Sequence, residues 1–229
     1  MAYGFKVEIW GDYACFSRPE LKVERVSYEI ITPSAVRGIL EAVFWKPAIK
    51  YIIDQIDVCE TIKFENIRRN ELNSKIPYLS IETAEEKLLA GKLEISSQED
   101  RAQRAAQVLK NVRYVVNFHF EMTDKAGPED NEEKFYAILS RRLRNGQNYH
   151  TPYLGTREFP AKVKIIEDKD SSPAPIRETK SFGLVLYDID YEVKTDEKGN
   201  YKGMDFNPTY FMANMINGVI DLRNIEVLK

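Results

Sequence analysis

TPSAVRGILEAVFWKPAIK, residues Thr32 to Lys50, is the stretch around which the rest of the chain must arrange itself. Its apolar residues fall at Ala35/Val36, Ile39/Leu40 and Val43/Phe44, steps that hold one helical stripe against a core. Thr32 can cap the helix, and Pro33 suits a first turn whose N–H would go unused. Pro47 stops it, because proline has no donor and pushes the preceding residue out of helical geometry. The helix is expected to deliver Phe44, Trp45 and Lys46 at its C-terminal end, aromatic faces beside a cation, a place suited to a polyanion.

Before this helix, Phe5, Val7 and Ile9 alternate with Lys6, Glu8 and Trp10, the period of a half-buried strand. After it, KYIIDQIDVCETIKF is a β-branched run that reads as a second strand. Asn66 to Pro77 lacks clear periodicity and reads as a basic loop carrying Arg68, Arg69 and Lys75. Thr83 to Lys92 and Gln98 to Lys110 have helix-forming composition, broken by Gly91 and Ser96-Ser97, which predicts a helical insertion over about residues 78–110. Val112 to Met122 is the clearest strand, with Val112, Tyr114, Val116, Phe118, Phe120 and Met122 on a core face. Its other face is expected to be open, offering Arg113, Asn117 and His119 to a ligand.

Asp130 and Glu133 have the spacing of a reciprocal cap, and Phe135, Ile138, Leu139 and Leu143 continue as a helical stripe up to Gly146. Thr156 to Ile166 alternates as a further strand. The order strand, helix, strand, strand, helix, strand predicts an α+β protein with a ferredoxin-like (RRM-like) core over residues 1–168. Asp170 to Pro175, where Pro173 and Pro175 disfavour regular structure, then reads as a linker into a small antiparallel β annex, residues 169–229. There Ser181 to Val193 is a strand, Lys198-Gly199-Asn200 a turn, and Asn217-Gly218 a two-residue hairpin signal.

With 229 residues, 43% of them hydrophobic, the chain can bury one sizeable core and a smaller satellite. The start MAYGFKVEIW has no apolar run long enough for a signal or a membrane span, so a cytoplasmic protein with no membrane partner is expected. Cys15 and Cys59 are the only cysteines and form no CxxC pair, which argues against structural zinc and a disulfide framework. The net charge of −3 gives no bulk attraction for nucleic acid, so any footprint must be local, from clusters such as Arg68, Arg69 and Lys75, or Arg141, Arg142 and Arg144.

No GxSxG elbow, phosphate-cradling loop or HExxH helix is present. Asp188 and Asp190 share a strand face and could in principle hold a divalent cation, although solvated carboxylates explain them as well. The chain has two histidines, His119 on the polar face of the third strand and His150 in the loop NYHTPY beside Tyr149, and either could approach a phosphate. Tyr136 adds a phenol, a poor base unless activated.

Several long blocks carry a family resemblance. They are WGDYACFSRPELKVERVSYEIITPSAVRGILEAVFWKPAI (Trp10 to Ile49), NIRRNELNSKIP (Asn66 to Pro77), NVRYVVNFHFEMTDKAGPEDNEEKFYAIL (Asn111 to Leu139), YLGTREFPA (Tyr153 to Ala161) and NPTYFMANMINGVI. In this order they resemble the CRISPR-associated Cas-five proteins of the I-C (Dvulg) subtype, over nearly the whole chain. The resemblance implies a metal-independent endoribonuclease without cofactor. Such a protein cuts the repeat hairpin of precursor CRISPR RNA by 2′-hydroxyl attack and stays on the 5′ handle, assembled with Cas-seven and Cas-eight subunits. It also implies a catalytic set: a tyrosine or histidine just before WKP, and a Lys-His pair at the start of the second helix. Here these positions read Phe44 and Lys134-Phe135, so the lysine is kept and both proton-transfer positions are phenylalanine. Loss of acid–base catalysis is worth about 100- to 10,000-fold. His119 is a candidate substitute, and Trp45, Lys46, Arg68, Arg69, Lys75 and Arg141 are the expected RNA contacts. A non-cleaving subunit that only caps the handle is the competing reading.

Overall fold

A computed structural model of the chain describes residues 4–21, 23–74, 81–89, 96–167, 171–195 and 201–229. In chain order its elements are β1 (Phe5–Ala14), β2 (Arg25–Val26), α1 (Pro33–Val43), β3 (Ile49–Val58), β4 (Phe64–Leu72) and α2 (Ile81–Leu89). Then come β5 (Arg101–Met122), α3 (Glu132–Asn145), β6 (Lys162–Ile165), β7 (Lys180–Thr195), β8 (Tyr201–Met215) and β9 (Val219–Asp221). The main sheet runs β6-β1-β5-β3-β9 with every neighbouring pair antiparallel, while β2 and β4 pair with the first half of β5. β7 and β8 form a separate hairpin.

The core grows from alternation. Phe5 and Ile53 flank Phe118 in register on β1, β3 and β5, and Phe5 stacks on Phe118 at 5.3 Å. Tyr136 of α3 lies 4.9 Å from Phe5 on this face, and Tyr51 donates its hydroxyl to the Phe44 carbonyl at the end of α1, so both helices cover the same side of the sheet. α1 starts as expected, with Thr32 Oγ1 accepting from the Ala35 amide at 3.1 Å and Pro33 in its first turn. It ends sooner than Pro47 requires. Phe44 is already extended, because its ring is drawn into the core and its carbonyl is claimed by Tyr51.

The predicted basic loop and the second half of the helical arm are corrected. Asn66 to Leu72 belongs to β4, and Arg101 to Lys110 is strand, the first half of β5; the two pair from Phe64↔Leu109 to Leu72↔Arg101. RAQRAAQVLK is rich in helix formers, but a full ladder of backbone hydrogen bonds to β4 outweighs propensities of a few tenths of a kcal/mol per residue. In β4 the period of two is carried by polar residues, Glu65, Arg69 and Glu71 turned inward and Asn66, Arg68 and Asn70 outward, so no hydrophobic alternation marks it. α2 lies within the predicted arm; residues 75–80 and 90–95 lie outside the described residues, as do the Lys75 and 198–200 turn assignments.

The far face of β5 is only partly open, since Val115 is fully buried, Arg113 pairs with Glu8 and His119 with Asp54. The cap of α3 is Asn131, whose Oδ1 accepts from the Lys134 amide at 2.8 Å, while Asp130 accepts from the Gly127 amide instead. Only Lys162–Ile165 of the strand expected from Thr156 to Ile166 is strand. At Asn217-Gly218 the predicted two-residue turn forms, with φ of 49° and 79° and mutual bonds between Ile216 and Val219. A Cβ on Gly218 would stand 2.3 Å from the Ile176 carbonyl oxygen, so glycine is required there. The turn sends β9 back to β3 in the main sheet.

Candidate nucleic-acid interface

The last carbonyls of a helix have no partner within it. At the end of α1 they are met by α3 and the segment that follows it: the Tyr149 and His150 amides donate to the Ala42 carbonyl at 2.8 and 3.3 Å, and Arg142 Nη1, from the last turn of α3, donates to the Val43 carbonyl at 2.6 Å. The Arg142 cation also suits the negative end of the α1 dipole. α3 itself closes on Gly146 at φ 62°, and the Gln147 amide returns to the Arg142 carbonyl at 2.8 Å. Residues 147–150 are therefore tied to the ends of both helices.

This stitching makes a cleft of about 530 Å³ lined by Glu41, Phe44, Trp45, Lys46, Arg142, Tyr149 and His150. Trp45 is 57% and Tyr149 78% exposed, two aromatic faces without the burial that core packing would give them. Phe44 is 3% exposed and forms the floor, its ring 5.9 Å from that of Phe135 and 5.2 Å from the Arg142 guanidinium carbon. Lys46 has no ion-pair partner among the described residues, and Glu41 is held by Arg37 at 2.8 Å. Burial, reinforced by the nearby Glu41 charge, drives the Tyr51 phenol far above its ordinary pKa, so the hydroxyl behind Phe44 stays protonated. His150 also opens onto a neighbouring groove with Thr151, Tyr153 and Arg157.

The other predicted residues are distributed around this cleft. Phe135 lies behind Phe44 at 1% exposure, and Lys134, in the first turn of α3, contacts the Glu129 carbonyl at 3.2 Å and Asp130 at 3.4 Å. Arg68 and Arg69 face opposite sides of β4: Arg68 is exposed, whereas Arg69 pairs with Glu158 and covers the Phe159 ring. Arg141 is exposed, and the neighbour selected for the cleft is Arg142. Its position seven residues after Phe135, on the same helical face, was the available signal. Glu41, four residues after Arg37, had no comparable signal. His119 points away from the helices, with Nδ1 2.9 Å from Asp54 Oδ2. Asp188 is engaged by Arg37 through Nε at 3.1 Å and Nη2 at 2.6 Å, and no cluster of metal-ligating side chains occurs among the described residues.

The model of the CRISPR-associated Cas5 proteins, in its Cas5d form, matches residues 4–223. The chain belongs to the Cas5d family. It is 45% identical over 228 residues to the CRISPR pre-crRNA endoribonuclease Cas5d of Mannheimia succiniciproducens, covering 97% of this chain and 96% of that protein. With the Cas5d of Thermus thermophilus, also named a CRISPR pre-crRNA endoribonuclease, it shares 44% identity over 156 residues, 68% of this chain and 61% of that one. Two solved structures share its fold at 20% identity, each covering 97% of this chain and 93% of its own: a functionally uncharacterized Streptococcus mutans protein with a TM-score of 0.65, and a CRISPR-associated protein with a TM-score of 0.62. On this Cas5d chain the cleft therefore sits where the WKP motif follows α1, floored by Phe44 with Phe135 packed behind it.

Proposed function

We propose that this chain binds the repeat hairpin of precursor CRISPR RNA at the α1 cleft, cuts it without metal through 2′-hydroxyl attack, and stays on the 5′ handle beside Cas-seven and Cas-eight subunits in the cytoplasm. The observation that carries this reading is the convergence of exposed Trp45 and Tyr149 with Lys46 and Arg142 on one cleft. Unpaired bases stack on such aromatics while the cations take phosphate. Relatives named as pre-crRNA endoribonucleases support the processing role. Exposed Arg68 and Arg141 would extend the footprint, and Lys134 would reach RNA by leaving Asp130. We read β6-β1-β5-β3 with α1 and α3 as the ferredoxin-like frame of an RNA-binding unit over 1–168, and 169–229 as an annex.

A second reading, a subunit that caps the handle without cutting, is favoured by the burial of Phe44 and Phe135 against each other, which leaves neither family position able to exchange a proton. Incubating the purified protein with its repeat RNA in EDTA separates the two. A 2′,3′-cyclic phosphate product is expected; intact RNA under saturating binding selects the second reading, and failure to bind defeats both.

A further inference from the structure

The cleft holds one imidazole. Of the two histidines in the chain, His119 is fixed to Asp54 on the opposite face of the sheet, while His150 lines the same cleft as Phe44, Lys46 and Arg142. Its backbone amide is anchored on the Ala42 carbonyl, which positions the residue, yet its ring nitrogens have no hydrogen-bond partner among the described residues. The ring stands edge-on to that of Tyr149, with centroids 4.7 Å apart. An anchored backbone with an uncommitted ring is the arrangement a proton-transfer group needs and a structural histidine lacks. Glu41 is a poorer choice, since its carboxylate accepts from Arg37, and the Tyr51 hydroxyl is spent on the Phe44 carbonyl.

We propose that His150 is the proton-transfer group of this chain, acting from the loop after α3, with Arg142 and Lys46 holding the phosphate. This rests on the cutting form of the function proposed above. In the step, the ribose 2′-oxygen bonds to phosphorus as the P–O5′ bond breaks. The 2′-hydroxyl proton passes to the imidazole, and a solvent proton from the open side of the cleft goes to O5′. The products are a 2′,3′-cyclic phosphate and a 5′-hydroxyl, with no oxidant or co-reactant. The cationic neighbours Lys46, Arg142 and, from the adjoining groove, Arg157 stabilise the extra negative charge on the phosphorane, while Glu41, Tyr149 and Tyr153 complete the surroundings of the ring.

Single-turnover cleavage of the repeat RNA in EDTA tests this. His150→Ala should slow cutting by about 100- to 10,000-fold, change affinity by no more than about threefold, the loss of a single cleft contact on the scale where 1.4 kcal/mol is tenfold, and recover part of the rate when free imidazole is added. Because the side chain is exposed and the Ala42 bond is made by the backbone, the variant should melt with the wild type. A variant that cuts at the wild-type rate overturns the proposal, as does a wild-type protein that binds the RNA and leaves it whole. A wild-type protein that does not bind at all overturns the functional reading with it.

Discussion

Phe44 shows how one side chain can serve the fold and shape a site. Its ring sits between Phe135 and the Arg142 guanidinium, and its carbonyl takes the Tyr51 hydroxyl at 2.6 Å. Phe44→Ala should therefore cost about 3–5 kcal/mol in urea unfolding, the usual loss for a buried phenylalanine. It should also weaken RNA binding, since Arg142 loses the surface that steadies it; unchanged affinity would show that Arg142 is held by the Val43 carbonyl alone. The sequence exposed the substitution at 44 and 135 but not its consequence. Stripe positions alone cannot say that two phenylalanines from helices some 90 residues apart would meet. For Arg142 the seven-residue step from Phe135 marked the inward face of α3, but only the docking of α3 against α1 makes that face a wall of the cleft.

α3 links stability to the site through its two ends. At its start, Asn131→Ala removes the bond to the Lys134 amide and should lower stability by about 1 kcal/mol with little effect on RNA. At its end, Gly146 has φ 62° with open space around it, so Gly146→Ala meets no clash but costs about 1–2 kcal/mol of backbone strain. Because residues 147–150 hang from that turn, this second variant should lose RNA affinity as well; equal affinity for the two variants would separate the loop from the site. The helix itself was legible from its apolar stripe and its glycine stop. The exact cap was not, because Asp130, Asn131 and Glu133 all have capping chemistry and the backbone path chooses among them. β4 and the first half of β5 were hidden for a different reason: polar residues carry their alternation, and their partner strand lies across a helix-bearing insertion.

Over the whole molecule, a net charge of −3 leaves RNA attraction to a few unpaired cations. Lys46→Ala should reduce the slope of log affinity against log salt by about 0.7–0.9, one phosphate contact. Arg69→Ala should leave it nearly unchanged, because Glu158 already neutralises that guanidinium; an equal drop for both would carry the RNA path across β4. The β7–β8 hairpin is fastened to α1 by the two-point Arg37–Asp188 pair, partly shielded from water, so Asp188→Asn should cost about 1–3 kcal/mol in thermal or urea unfolding. By itself the chain's pattern of apolar periods determined α1, α3, the main strands and the Asn217-Gly218 turn, since these depend on neighbours within a few residues. Tertiary structure alone decided that the NYH segment would fold onto the end of α1, that Arg68 and Arg69 would part, and that β9 would return to β3. Each of these depends on hydrogen-bonding groups or charges left unsatisfied within one element, which find partners only when distant parts of the chain are brought together.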